Sequence, residues 1–187
     1  MKELLLDFDG CIADTISIIT KLYDEDFSAY SNFQYVHPCE VETWDFEELT
    51  CASADYINTY FNQPRFFRNM EYMDNAKEVI DNLREYFRIT IVSSGYSPNL
   101  KLKEKWISEN MPYADFIPVN LKQYNDKSHI NMSGCIFIDD SIHNLTTSNA
   151  STKICFGDLY PWNAGWSGLR LYNWKDVERF LLKGVIP

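Results

Sequence analysis

The chain has 187 residues, enough for one domain of ordinary size or one core carrying a small inserted module. A chain of this length buries roughly 70% of its unfolded surface without disulfide or metal staples. Its 17 Lys and Arg against 27 Asp and Glu give a formal net charge of −10, which disfavours long duplex DNA or an anionic membrane as the main partner, and 45% hydrophobic residues exclude a disordered chain.

The first apolar run, Leu4 to Leu6, is cut short by acids, so it predicts neither a signal peptide nor a membrane span. No later segment approaches spanning length. The cysteines (Cys11, Cys39, Cys51, Cys135 and Cys155) are odd in number and lack C-x-x-C spacing, which predicts reduced thiols and a cytoplasmic protein. Cys11, Cys135 and Cys155 are expected to be buried small hydrophobes.

In chain order, a first strand is predicted over residues 3–7. From about Thr15 to Tyr72 no strand pattern occurs. Ile16, Ile19, Tyr23, Phe27 and Tyr30 recur there at helical spacing, so this aromatic stretch predicts a helical insertion after the first strand, covering the sheet's C-terminal edge. Asp74 is placed to cap a helix with Ala76, Val79, Ile80 and Leu83 on one face. Residues 88–94 and 135–140 predict buried strands, and 116–119 and 153–156 weaker ones. Ser97-Pro98 fits the start of a helix running to about Asn110, and Asn173 caps a last helix with Trp174, Val177, Phe180 and Leu181 facing inward. Unbroken apolar strands alternating with helices point to an α/β fold, a doubly wound parallel sheet.

In such sheets ligands bind at the carboxyl ends of the strands. There the sequence delivers Asp7-Phe8-Asp9-Gly10, Ser93-Ser94-Gly95 and Asp139-Asp140. Carboxylates gathered at one edge repel one another unless a cation sits among them, and a half-open oxygen site suits Mg²⁺, with room for phosphate oxygens. Asp7 and Asp9, one residue apart, are able to divide the work: one attacks phosphorus, the other moves a proton. Ser93, Ser94 and nearby backbone N–H groups are suitable phosphate donors, and Lys101, Lys103 and Lys105 on the next helix offer a neutralising charge.

These residues resemble the four ordered motifs of the haloacid-dehalogenase-type phosphohydrolases: Asp7-Phe8-Asp9-Gly10, a strand ending Ser93-Ser94, a downstream helix lysine, and Ile138-Asp139-Asp140. Within that superfamily the chain is similar to the 5'(3')-deoxyribonucleotidases. The similarity rests on Asp9-Gly10-Cys11-Ile12-Ala13-Asp14, Arg65-Phe66-Phe67, Lys103-x-x-Trp106 and Pro161-Trp162-Asn163 before Asn173-Trp174. It departs from relatives at Ser93, often Thr, and at Gly95, often Pro.

The resemblance implies a catalytic core of residues 1–14 and 73–187 and a helical cap of residues 15–72. It implies Asp7 as the nucleophile that forms an aspartyl-phosphate and Asp9 as the acid/base. Mg²⁺ would be held by Asp7, the Asp9 carbonyl and Asp140, with Asp139 as the alternative. Ser93, Ser94 and Lys103 would bind phosphate, with Lys105 as the rival lysine. A nucleobase wants aromatic faces, worth roughly 1–3 kcal/mol per base, and Trp44 and Phe61 are the preferred candidates. Lys127 is expected to reach phosphate or sugar. The activity implied is Mg²⁺-dependent hydrolysis of a small phosphorylated substrate, a (deoxy)nucleoside monophosphate, with no long nucleic acid or membrane as partner and a homodimer left open. The alternatives are phosphatases of other small esters or of nucleic-acid 3'-phosphate ends. A phospho-aspartate signalling module is the non-enzymatic one, disfavoured by motif order and by the insertion.

Overall fold

In the computed structural model, which describes residues 1–183, six parallel strands form one sheet. They are β1 (Lys2–Leu6), β2 (Phe87–Gly95), β3 (Asp115–Asn120), β4 (Ile136–Asp139), β5 (Thr152–Phe156) and β6 (Arg170–Leu171). Their order is β3-β2-β1-β4-β5-β6, so the chain reverses its direction of growth between β1 and β4. Connections leave such a point toward opposite faces and open a crevice at the strands' carboxyl ends. Five of the strands were expected. The two-residue β6 is too short to carry a hydrophobic pattern.

The apolar runs are unbroken because both faces of the sheet are dry. Leu4, Leu6, Ile136, Ile138, Ile154 and Phe156 enter the larger core, while Leu5, Phe137 and Cys155 enter a second core on the opposite face. Each such side chain contributes roughly 1.5–3 kcal/mol by leaving water. Cys11, Cys135 and Cys155 are buried thiols.

Residues 15–72 supply α1 (Thr15–Phe27), a 3-10 turn (Pro38–Glu40), α2 (Ala54–Tyr60) and α3 (Pro64–Arg68), and no strand of the sheet. Asp14 starts α1 by accepting from the Ser17 amide (3.2 Å) and hydroxyl (2.7 Å). The helical series ends at Phe27; Tyr30, expected to continue it, lies beyond the helix and is exposed. At the base of this segment the Asp14 amide donates to the Glu71 carbonyl (3.0 Å) and the Met73 amide to the Ile12 carbonyl (2.8 Å). Asp26 ties the three helices together, accepting from Arg65 (2.8 and 2.5 Å), Tyr60 (3.0 Å) and Tyr56 (3.1 Å). The Arg65 hydrogen bonds hold the Asp26 carboxyl below its usual range. Phe46, Tyr60 and Phe66 share one apolar cluster with Leu4 and Phe8, so the helical segment packs as an extension of the core.

Four more helices flank the strands: α4 (Ala76–Leu83), α5 (Ser97–Asn110), α6 (Ile142–Thr147) and α7 (Trp174–Leu182). The expected Asp74 cap of α4 is replaced by Asn75, which takes a left-handed backbone (φ 62°) and makes no side-chain cap bond. Pro98 lies in the first turn of α5, with Tyr96 rather than Ser97 at the cap. Asn173 caps α7, accepting from the Asp176 amide (2.9 Å). Trp174, Val177 and Leu181 are buried, whereas Phe180, expected inside, falls off that stripe and is 40% exposed. The Trp174 indole donates to the Cys11 carbonyl (2.8 Å), pinning the loop that follows β1.

Candidate active site

The site grows from a tight turn. The Ile12 and Ala13 amides both donate to the Phe8 carbonyl (3.0 and 2.9 Å), and the Gly10 amide donates to the Ala13 carbonyl (3.0 Å). Gly10 takes φ +71°, and a Cβ there would lie 3.0 Å from Asp140 Oδ2, so glycine is required by both backbone and space. This turn sets Asp7 and Asp9 beside the acids that end β4.

Lys127 is fully buried and bridges two of those acids, donating to Asp7 Oδ1 and to Asp139 Oδ2 (2.6 Å). Asp139 also accepts from the Ser141 amide (2.8 Å) and the Asn144 amide (3.1 Å), so its lone pairs are spoken for. Asp140 differs. Among the described residues its side chain accepts one hydrogen bond, from the Trp162 indole (2.9 Å), and it lines the cavity described below.

Lys127 thus pairs with Asp7 and Asp139, and among the described residues no ammonium pairs with Asp140, so the three buried acids hold two more formal negative charges than this lysine balances. Burial raises the Asp7 carboxyl to about 7; Asp139 and Asp9 push the same way and Lys127 opposes them. The Asp140 carboxyl is raised by burial and then by Asp139 and Asp7. The Lys127 ammonium is held above its usual range by these acids, although burial pulls it down. Carboxylate oxygens of Asp7 and Asp140 and the Cys11 sulfur lie within 4.8 Å of one another. Unbalanced hard oxygen donors at that spacing fit a divalent cation.

The cation-free protein therefore has a pH signature. Folded Asp7 holds a proton up to about pH 7, whereas the unfolded chain releases it near the ordinary 3.8. The folded state binds the extra proton in that window, so stability falls as pH rises through it and levels off above. Chelator-treated protein is expected to melt at a higher temperature at pH 5.5 than at 7.5, and Mg²⁺ should narrow the gap; equal melting in chelator would contradict this charge balance.

A second buried lysine serves Asp9. Lys103 donates to Asp9 Oδ2, to the Ser93 hydroxyl (2.8 Å) and to the Ser94 carbonyl (3.0 Å), which uses its three N–H groups. Thr15 donates to the other Asp9 oxygen (2.9 Å). Lys105, the rival lysine, is exposed and pairs loosely with Glu109 at 3.8 Å.

Between the strand ends and the helical segment lies a cavity of about 640 Å³. Asp7, Asp9, Ser94 and Asp140 line it from the strand ends, Lys103 from α5, and Trp44 and Phe61 from the helical segment. Ser93 lies behind Lys103, fully buried. Lys127, expected to reach substrate, instead lies beneath the cavity between Asp7 and Asp139.

Four contributors escaped the sequence reading of the site. Thr15 holds Asp9, Cys11 lies beside Asp7, and Trp162 holds Asp140. Asn99 is buried and donates to the Phe61 carbonyl (2.8 Å), fixing an aromatic wall of the cavity. The same side chain explains Gly95, since a Cβ there would lie 2.3 Å from Asn99 Oδ1. For Trp162 the signal was Pro161-Trp162-Asn163 and for Cys11 the run Asp9 to Asp14; both mark kinship and say nothing of a contact with Asp140 or Asp7.

This chain matches the family model "5' nucleotidase, deoxy (Pyrimidine), cytosolic type C protein" over residues 1–185. A Staphylococcus aureus protein provisionally named a 5'(3')-deoxyribonucleotidase is 24% identical, with 98% of this chain and 97% of that protein covered. A 5'(3')-deoxyribonucleotidase of Clostridium acetobutylicum is 28% identical over 64% of each chain. Among solved structures, the magnesium-bound HAD-hydrolase YfnB of Bacillus subtilis superposes with a TM-score of 0.63 at 16% identity, covering 96% of this chain and 98% of its own, a likeness of fold. The match over nearly the whole length, together with the acid-lined crevice at the strand ends, places the chain in the deoxy (pyrimidine) 5' nucleotidase family, and it is a phosphoric monoester hydrolase on the haloacid-dehalogenase fold.

Proposed function

We propose that this phosphatase hydrolyses nucleoside monophosphates, deoxyribonucleotides among them, through an aspartyl-phosphate on Asp7. The observation that carries the reading is the division between the two acids. Asp7 has one oxygen bound by Lys127, and its other oxygen makes no hydrogen bond among the described residues, while Asp9 is held at both oxygens by Thr15 and Lys103. The free Asp7 oxygen attacks phosphorus as the bond to the nucleoside oxygen breaks. Asp9 delivers a proton to that oxygen, then takes one from the water that attacks the phospho-aspartate, and Asp7 is released with phosphate. Lys103 is placed to exchange its bond to Asp9 for one to a phosphate oxygen, which frees Asp9 to carry the proton. Ser94 borders the same berth. Mg²⁺, held by Asp7, Asp140 and the Asp9 carbonyl, would supply the positive charge that phosphate oxygens and the buried acids both require. Residues 15–72 act as a cap in this reading, and Trp44 and Phe61 offer the faces against which a base stacks.

The test is phosphate release from deoxyribo- and ribonucleoside monophosphates, oligonucleotide ends and sugar phosphates, with and without Mg²⁺. Mononucleotides are expected to have the highest kcat/KM, and only with the ion. A preference for sugar phosphates or oligonucleotide ends would overturn the substrate assignment.

Asn99 gives a narrower check on the cap wall. Asn99→Ala removes the bond to the Phe61 carbonyl and should raise KM for mononucleotides by about fivefold to tenfold, the value of one hydrogen bond. Phenyl phosphate, too small to span the cavity, should be hydrolysed with nearly unchanged constants. Equal losses on both substrates would place the effect elsewhere.

A further inference from the structure

Trp162 lies outside the four motifs and outside the cavity lining, yet among the described residues it makes the one hydrogen bond that the Asp140 side chain receives, from its indole N–H at 2.9 Å. The loop that carries it is elaborately tied down. Arg170, from β6, donates to the carbonyls of Gly157 (3.2 Å), Asp158 (3.1 Å) and Asn163 (2.6 Å) and to the Asn163 side-chain oxygen (3.1 Å). Asn163 is fully buried and accepts from the Tyr160 amide (3.0 Å), closing the turn around Trp162. The Tyr160 ring stacks on the Trp162 ring at 4.5 Å with 2° between planes, and the Trp162 ring also meets Trp44, tilted, at 5.7 Å. One indole therefore touches both the least-compensated acid of the site and an aromatic of the cavity wall.

The chemistry of Asp140 makes that contact consequential. Its neighbours Asp7 and Asp139 repel it, and Lys127 donates to those two and not to it. A buried carboxylate so placed would turn away or take a proton unless a donor holds it. The indole N–H neutralises nothing but fixes Oδ2, and Gly10 leaves that oxygen room, since a Cβ there would lie 3.0 Å from it. Oδ1 is left for a cation shared with Asp7. Groups that orient metal ligands from behind typically change metal affinity by 10–100-fold when removed.

We propose that Trp162 is a positioning residue that sets Asp140 for Mg²⁺, acting through its N–H and not through its ring. This rests on the metal assignment made above. The experiment needs no turnover: thermal melting of the substrate-free protein across a Mg²⁺ series gives the ion's affinity from the concentration dependence of Tm. Trp162→Phe keeps a ring and loses the donor, and should weaken Mg²⁺ binding at least tenfold while melting close to wild type in chelator. Trp162→Gln supplies a donor without the ring and should recover part of that affinity; if the Phe variant fails to fold, the Gln variant is compared with Trp162→Leu, which lacks both donor and ring and should bind Mg²⁺ more weakly. Trp44→Leu removes the ring contact and should leave Mg²⁺ affinity within twofold. Wild-type affinity in Trp162→Phe would overturn the proposal and leave the metal assignment standing, as would a loss in Trp44→Leu equal to that in the Phe variant, or Gln binding no tighter than Phe. A wild-type protein whose Tm ignores Mg²⁺ would overturn both.

Discussion

Asp7→Asn is expected to yield a protein that is inert as a phosphatase and yet more stable than wild type in chelator. The loss of turnover should be about 10⁴-fold or more, the scale seen when a covalent nucleophile is removed. The gain in stability follows from charge. Asp7 and Asp139 share one lysine beside Asp140, which pairs with none among the described residues, and burial already drives the Asp7 carboxyl up to about 7. An amide keeps an oxygen acceptor for Lys127, removes one surplus charge, and leaves the Lys127–Asp139 pair intact. Phosphate release and melting temperature, measured on the same preparation, check both halves. A dead variant that melts lower than wild type in chelator would mean that Asp7 holds the fold, and its inactivity would then say little about chemistry.

Lys127→Met is expected to act in the opposite sense on stability. The ammonium is buried between Asp7 and Asp139 and lies 5.4 Å from the Phe137 ring centre. Removing one partner of a buried ion pair costs about 3–5 kcal/mol because the other charge stays buried without compensation. Here two acids are stranded, so the upper part of that range is expected, read from urea unfolding. Adding Asp139→Asn should return part of the loss, since it removes one stranded charge. A Lys127→Met protein as stable as wild type would contradict the bridge. Arg65 offers a contrast, since its pair with Asp26 is partly exposed and a smaller loss is expected there.

The parts of this molecule that were legible in the sequence are those written by local pattern. Strands buried on both faces must be apolar without interruption, and residues 3–7, 88–94 and 135–140 were recognisable for that reason. The acids and serines at their ends converge because parallel strands present the same end to one edge. Lys103 and Lys105 could not be separated by pattern, since α5 carries polar residues around much of its circumference; burial of Lys103 against Asp9 and Ser93 depends on the partner strand. Lys127, in Asp126-Lys127-Ser128, was expected to reach phosphate or sugar, because only the fold places two acids around it. Trp162 was visible as a residue and silent as a contact, since β5, β6 and the Arg170 fork are needed to bring it to Asp140. Phe180 and Asp74 were misplaced by one step of helical phase or capping, where neighbouring residues compete for the same role.

In the proposed mechanism Asp7 carries the phosphoryl group between the two displacements. Wild-type protein mixed with a mononucleotide carrying labelled phosphate and Mg²⁺, quenched in acid during turnover, and cleaved after lysine would release residues 3–21 as one peptide. The label is expected on that peptide, at Asp7, and absent from Asp7→Asn. Phosphate release at the wild-type rate from Asp7→Asn, or label on a different residue, would contradict it.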